Sequence, residues 1–123
     1  MIFEEHGPVS NLRIADIPDA EPSEGEVKLR VRAISLNGFD PMILAQIPGI
    51  RTPLPMIPGG DISGEIVAFG PQGATNGLST GMRVLVNPLM PGGKGVLGET
   101  VRGGACEFIC VPAENIIPLP DAV

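Results

Sequence analysis

The 123-residue chain has no tryptophan, no tyrosine and only four phenylalanines. Its core must therefore be aliphatic, and chemistry that depends on stacking against aromatic side chains is scarce. Basic residues are also few. Eight Lys and Arg face fourteen Asp and Glu, a net charge of −6, which argues against a nucleic-acid partner because phosphate binding needs a surplus of cations on one face. No apolar run approaches the ~20 residues that span a bilayer. The opening MIFEEHGPV lacks the basic stretch and long apolar run of a secretory signal. The sequence thus predicts a soluble cytoplasmic chain with no membrane partner.

Cysteine and histidine are nearly absent as well. Cys106 and Cys110, the two cysteines, lie in ACEFICV, which alternates like a strand; residues four apart on a strand are roughly 13 Å apart at ~3.3 Å per residue. They can neither bridge nor share a metal ion, and two reduced, mostly buried thiols are expected. His6, the single histidine, is expected to be solvated.

Glycine and proline, by contrast, are abundant at 17 and 14 residues. That approaches the composition of disordered chains, yet they fall between apolar runs such as Val27 to Leu36 and Ile62 to Phe69, as turns do between strands. One domain with one core, spanning residues 1–123, follows.

In VKLRVRAISL, Val27, Leu29, Val31 and Ala33 alternate with Lys28, Arg30 and Arg32, the pattern of a strand with one wet face. Leu12 to Ile17, across an acidic turn, is expected to pair with it. Asp40 followed by Pro41 opens one or two helical turns, with the carboxylate expected at the N-cap. The proline-rich IPGIRTPLPMIPGG must be an extended loop. DISGEIVAFG reads as a strand in which Gly64 marks a bulge or a close backbone approach, GMRVLVNP reads as another, and ACEFICVPAENIIPLPDAV gives one strand, a corner and an extended tail. Six or so short strands with little helix predict an all-β barrel or sandwich.

Gly93, Gly95 and Gly98 match the dinucleotide fingerprint G-x-G-x-x-G, but they follow NPLMPG rather than an apolar strand and precede ETVRGGA, too short and glycine-rich for the helix that would hold a pyrophosphate. A flexible loop is the expected reading.

The order GEVKLRVRAISLNGFDPMILAQ, PLPMIPGGDISGEIVAFG, GMRVLVNP and GGACEFICVPAENIIPLPDAV resembles the N-terminal GroES-like domain of the medium-chain dehydrogenase/reductase superfamily, over nearly the whole chain. The resemblance implies a partly open, mainly β barrel. It also implies that Asn37 stands where the zinc-dependent alcohol dehydrogenases carry a catalytic Cys, and that Gly60 and Asp61 stand where they carry the His and Glu of G-H-E. Phe39 occupies the place of a proton-relaying Ser or Thr. The cysteines of the structural zinc lobe are missing too, and a Gly and an amide cannot hold zinc.

The L-N-x-x-D and P-G-x-D forms are similar to the zinc-free quinone oxidoreductase and enoyl reductase branch. That likeness implies NADP(H), direct hydride transfer to a carbonyl, enone or quinone, a homo-oligomeric full-length protein, and a cleft faced by Asn37, Phe39, Asp40, Gly60 and Asp61. No side chain need act as nucleophile, and the catalytic residues stay unassigned. A Rossmann domain is absent from these residues, so the isolated chain is expected to be inactive and to bind little or no cofactor. Two alternatives remain open: a stand-alone GroES-like module that binds a protein through the loop from Ile47 to Pro58, and an alcohol dehydrogenase-like domain that has lost its zinc ligands.

Overall fold

The computed structural model describes residues 1–123. Its five strands are β1 (Glu26–Ile34), β2 (Ile62–Phe69), β3 (Arg83–Val86), β4 (Phe108–Pro112) and β5 (Ile116–Pro118), with one helix, α1 (Asp40–Ala45), between β1 and β2. They form one sheet in the order β4-β1-β2-β3-β5, with every pairing antiparallel. β4 and β5 are its two edges, so the expected mainly β, incompletely closed architecture is present.

The alternation in β1 explains why the core sits where it does. Val27 lies opposite both Phe69 and Val111, and Leu29 opposite both Ile66 and Ile109; Val27 and Leu29 are fully buried in the main apolar cluster. Farther along β1 the period breaks. Val31 faces Gly64 and Ala33 faces Ser63, leaving Arg32 as an extra residue, a bulge that shifts the inward face by one position. Ile34, rather than the expected Ala33, then packs against the core, and Ala33 is exposed. Gly64 itself is the close approach: a Cβ there would lie 2.6 Å from the Arg30 carbonyl oxygen.

Leu12 to Ile17 is not a strand beside β1. Only Arg13 makes a bridge, to Ile2, and Ile14 is 82% exposed. Both edges of β1 are already taken by β2 and β4, which leaves no ladder for the segment to join. The expected extended tail is instead β5, paired with β3, so the sheet has five strands rather than six.

A second, smaller cluster of Phe3, Ile43, Leu44 and Met56 lies under α1. A six-residue helix is too short to persist in isolation, and this packing holds it. His6 belongs to the same corner and is half-buried rather than freely solvated. Its Nδ1 lies 3.0 Å from the Ile43 oxygen and 3.2 Å from the Leu44 oxygen; carbonyls only accept, so Nδ1 carries the proton and donates to the helix end.

The Gly93–Gly98 stretch is a connection between β3 and β4, with a 3-10 turn over Pro91–Gly93 and no helix after it. It is packed rather than loose, because Leu97 is buried in the main core. Asn115, buried at the β4–β5 corner, donates to the Asn87 and Leu89 oxygens at 2.6 and 2.9 Å and fixes the exit from β3. No helix is long and apolar enough to cross a membrane.

Candidate functional site

At the end of β1 the chain stays extended through Ser35 and turns into α1, while β2 begins just after Asp61. The Ser35 N–H donates to the Asp61 carbonyl at 3.2 Å, which continues the β1–β2 ladder by one step and brings the two segments side by side.

Side chains then converge. Asp61 Oδ2 accepts from Asn37 Nδ2 at 2.9 Å and from Ser35 Oγ at 2.7 Å, and Ser35 Oγ lies 3.3 Å from Asn37 Oδ1. Asp61 is exposed. The Asn37 amide first, and the Ser35 hydroxyl second, hold its carboxyl below the ordinary aspartate value, against a smaller opposing effect of burial. The result is an ionised carboxylate whose orientation is fixed by two neutral donors.

Asp40 joins through the backbone. It is not the N-cap, a position held by Phe39; as the first helical residue it reaches back, and its Oδ2 accepts the Asn37 N–H at 2.6 Å. Its Oδ1 is buried without a partner. The carboxylate thus pins the turn that presents the Asn37 side chain to Asp61.

Gly60 and Phe39 make the adjoining corner. A Cβ on Gly60 would lie 2.9 Å from the Leu97 oxygen and 3.6 Å from Phe39 Cζ, so the position has no room for a side chain. Phe39 also packs against the Phe3–Met56 cluster. All five residues singled out in the sequence therefore lie in one corner. Ser35 was missed there. Its signal was its spacing: two residues before Asn37 in an extended segment puts both side chains on one face.

The cysteines lie elsewhere. Cys106 and Cys110 are free and half-buried, less enclosed than expected. Burial, above all, pushes both thiols up, Cys110 to about 11. No group of three or more His, Cys, Asp and Glu side chains is placed to hold a metal ion.

Residues 23–121 match the alcohol dehydrogenase GroES-like domain. The chain belongs to that family. This GroES-like domain is 28% identical to the L-threonine 3-dehydrogenase of Ruegeria pomeroyi, over 98% of its own length and 40% of the relative's. It is 30% identical to the chloroplastic quinone-oxidoreductase QR1 of Triphysaria versicolor, over 83% of its length and 28% of the relative's. Among solved structures it superposes on an NAD-dependent alcohol dehydrogenase with a TM-score of 0.87 at 29% identity, covering 99% of this chain and 39% of the other. The GroES-like domain thus spans about two fifths or less of the length of these relatives, which are oxidoreductases by name.

Proposed function

We propose that this GroES-like domain is the substrate-side wall of a zinc-free, nicotinamide-dependent oxidoreductase that reduces a conjugated carbonyl or a quinone by direct hydride transfer. The observation that carries this reading is the Ser35–Asn37–Asp61 cluster beside Gly60. Where the zinc enzymes are expected to place thiolate and imidazole, this chain has an amide already engaged with a carboxylate and a glycine whose surroundings exclude any side chain. These residues do not fit a zinc ion, which takes Cys, His and carboxylate ligands in a tetrahedron.

Without a metal, polarisation and orientation fall to hydrogen bonds. A nicotinamide cofactor, when bound, supplies the hydride, and solvent supplies the proton that completes the reduction. Asn37 and Asp61 offer polar groups to a ligand in the cleft, with Asp40 holding the Asn37 turn in place. Phe39 closes the corner as an apolar surface and moves no proton. This chain's own residues do not fit the cofactor's phosphates, because the Gly93–Gly98 loop opens no helix and the net charge is negative. That task belongs to a nucleotide-binding half. The names of the relatives, a quinone oxidoreductase and an NAD-dependent dehydrogenase among them, support the redox chemistry.

The test joins this chain to a nucleotide-binding half and follows oxidation of NADPH and NADH with enones and quinones, before and after dialysis against a zinc chelator. Turnover untouched by the chelator is expected, with loss of rate in Asn37→Ala. Activity that disappears with the chelator and returns with added zinc would refute the zinc-free reading. The alternative of a protein-binding loop from Ile47 to Pro58 has less support, since Met56, Ile57 and Pro58 are buried in the fold.

A further inference from the structure

Asp61 also stands at the end of a second feature, a groove of about 520 Å³ across the outer face of the sheet. Its floor is a cross-strand row: Ala33 faces Ser63, Ser63 faces Leu85, and Leu85 faces Ile117. Leu85 and Ile117 are 41% and 49% exposed, so the row presents apolar side chains at the surface of this chain. Ser35 and Asp61 line the same groove, and no lysine or arginine does.

The carboxylate at its end is uncompensated. The chain's ion pairs are Arg13–Glu4, Lys28–Glu21 and Arg32–Glu65, and Asp61 takes part in none. Both of its side-chain hydrogen bonds arrive at Oδ2; Oδ1 of this exposed residue accepts none. A fixed, ionised acceptor with a free oxygen beside an apolar floor is complementary to a ligand that is cationic at one end and apolar along its body.

We propose that this groove binds a small protonated amine with an apolar tail, its ammonium group on Asp61 Oδ1 and its tail across Leu85 and Ile117. The two neutral donors on Oδ2 fix the carboxylate where Asp61 lines the groove, so little ordering is left to occur on binding. A neutral alcohol of the same length would bury the same tail but lack the charge-assisted bond, which is about twice as strong as its neutral counterpart. A carboxylate of that length would be repelled.

The experiment titrates the ¹⁵N-labelled chain with hexylammonium, hexanol and hexanoate and follows the Asn37 side-chain amide together with the Leu85 and Ile117 backbone amides. No nucleotide is present, so the outcome is separate from that of the hydride-transfer assay. Expected is saturable binding of hexylammonium at these three residues, about tenfold weaker binding of hexanol, no binding of hexanoate, and a loss of about tenfold for the amine in Asp61→Asn. Leu85→Ser, which leaves the carboxylate intact, should weaken the amine and the alcohol together. Equal affinity for amine and alcohol, full retention of binding in folded Asp61→Asn, or shifts confined to residues outside the groove would each overturn the proposal.

Discussion

At the scale of single residues, the Asp61 carboxylate is the group whose behaviour is most directly set by its neighbours. Its folded pKa lies below the unfolded value, about 3.9 for an aspartate. The sign follows: the hydrogen bonds to Asn37 and Ser35 contribute stability above the unfolded pKa, and the contribution disappears as pH falls through the folded one. Exposure keeps it small. Ser35→Ala removes one of the two donors, so the Asp61 pKa should rise toward the ordinary value without reaching it, because the larger Asn37 effect remains. A carboxyl ¹³C titration reads this directly, and an unchanged pKa in the variant would mean that the Ser35 bond does not hold the carboxylate.

Cys110 has the opposite sign. Burial first, and Glu26 second, raise its thiol to about 11, so its contribution to stability is held in full below about pH 8.5, the ordinary thiol value, and lost as pH rises through about 11. The rate of iodoacetamide modification at Cys110 should keep climbing to that pH; a plateau near the ordinary thiol value would show a site open to water. Among these residues Asn37, Asp40, Gly60 and Asp61 were legible from the order of motifs. Spacing put Ser35 on one face with Asn37, but its bond to Asp61 was not legible, because nothing local says that β1 and β2 stay paired one step past Ile34.

At the scale of the elements, the tightest constraint is the crossing of β1 and β2. Gly64 has an ordinary strand backbone, but a Cβ would press on the Arg30 carbonyl of the partner strand, an atom that cannot move without breaking the ladder. Gly64→Ala should therefore cost about 1–3 kcal/mol, as overpacking does, and lower the melting temperature by several degrees. Gly38→Ala, where a Cβ meets nothing within 4 Å, is the matched control. Equal melting of the two variants would show that the sheet gives way at this point.

What the sequence could say about elements had a physical boundary. β1 and β4 announced themselves through period-two alternation, and β2 and β3 as short apolar runs between turn residues, properties of each segment taken alone. Leu12 to Ile17 and the tail at β5 were misread because strand formation also needs a free edge, and edges are allotted by long-range pairing. Leu12 to Ile17 found both sides of β1 occupied, whereas the tail found β3 open. The bulge at Arg32 is of the same kind: it is set by how β2 lies against β1, and it turned Ala33 outward.

For the whole molecule, the proposed separation of tasks between this GroES-like domain and a nucleotide-binding half has a measurable consequence. Dinucleotide sites hold the pyrophosphate at a helix N-terminus reached from a strand. Here the only glycine string of that form leads into a bridge and a turn, the one α-helix has six residues, and the chain carries a charge of −6 that opposes a polyphosphate. The isolated chain should accordingly give no saturable heat with NADPH or NADH by calorimetry up to millimolar ligand. Joined to a nucleotide-binding half, the same residues should join a complex of ordinary cofactor affinity, and Asn37 side-chain amide resonances should shift on binding. Micromolar, saturable binding of NADPH by the isolated chain would place a phosphate site within these 123 residues and undo the division of labour; binding by the joined protein that leaves Asn37 unmoved would keep the division but put the nicotinamide away from the Ser35–Asn37–Asp61 corner.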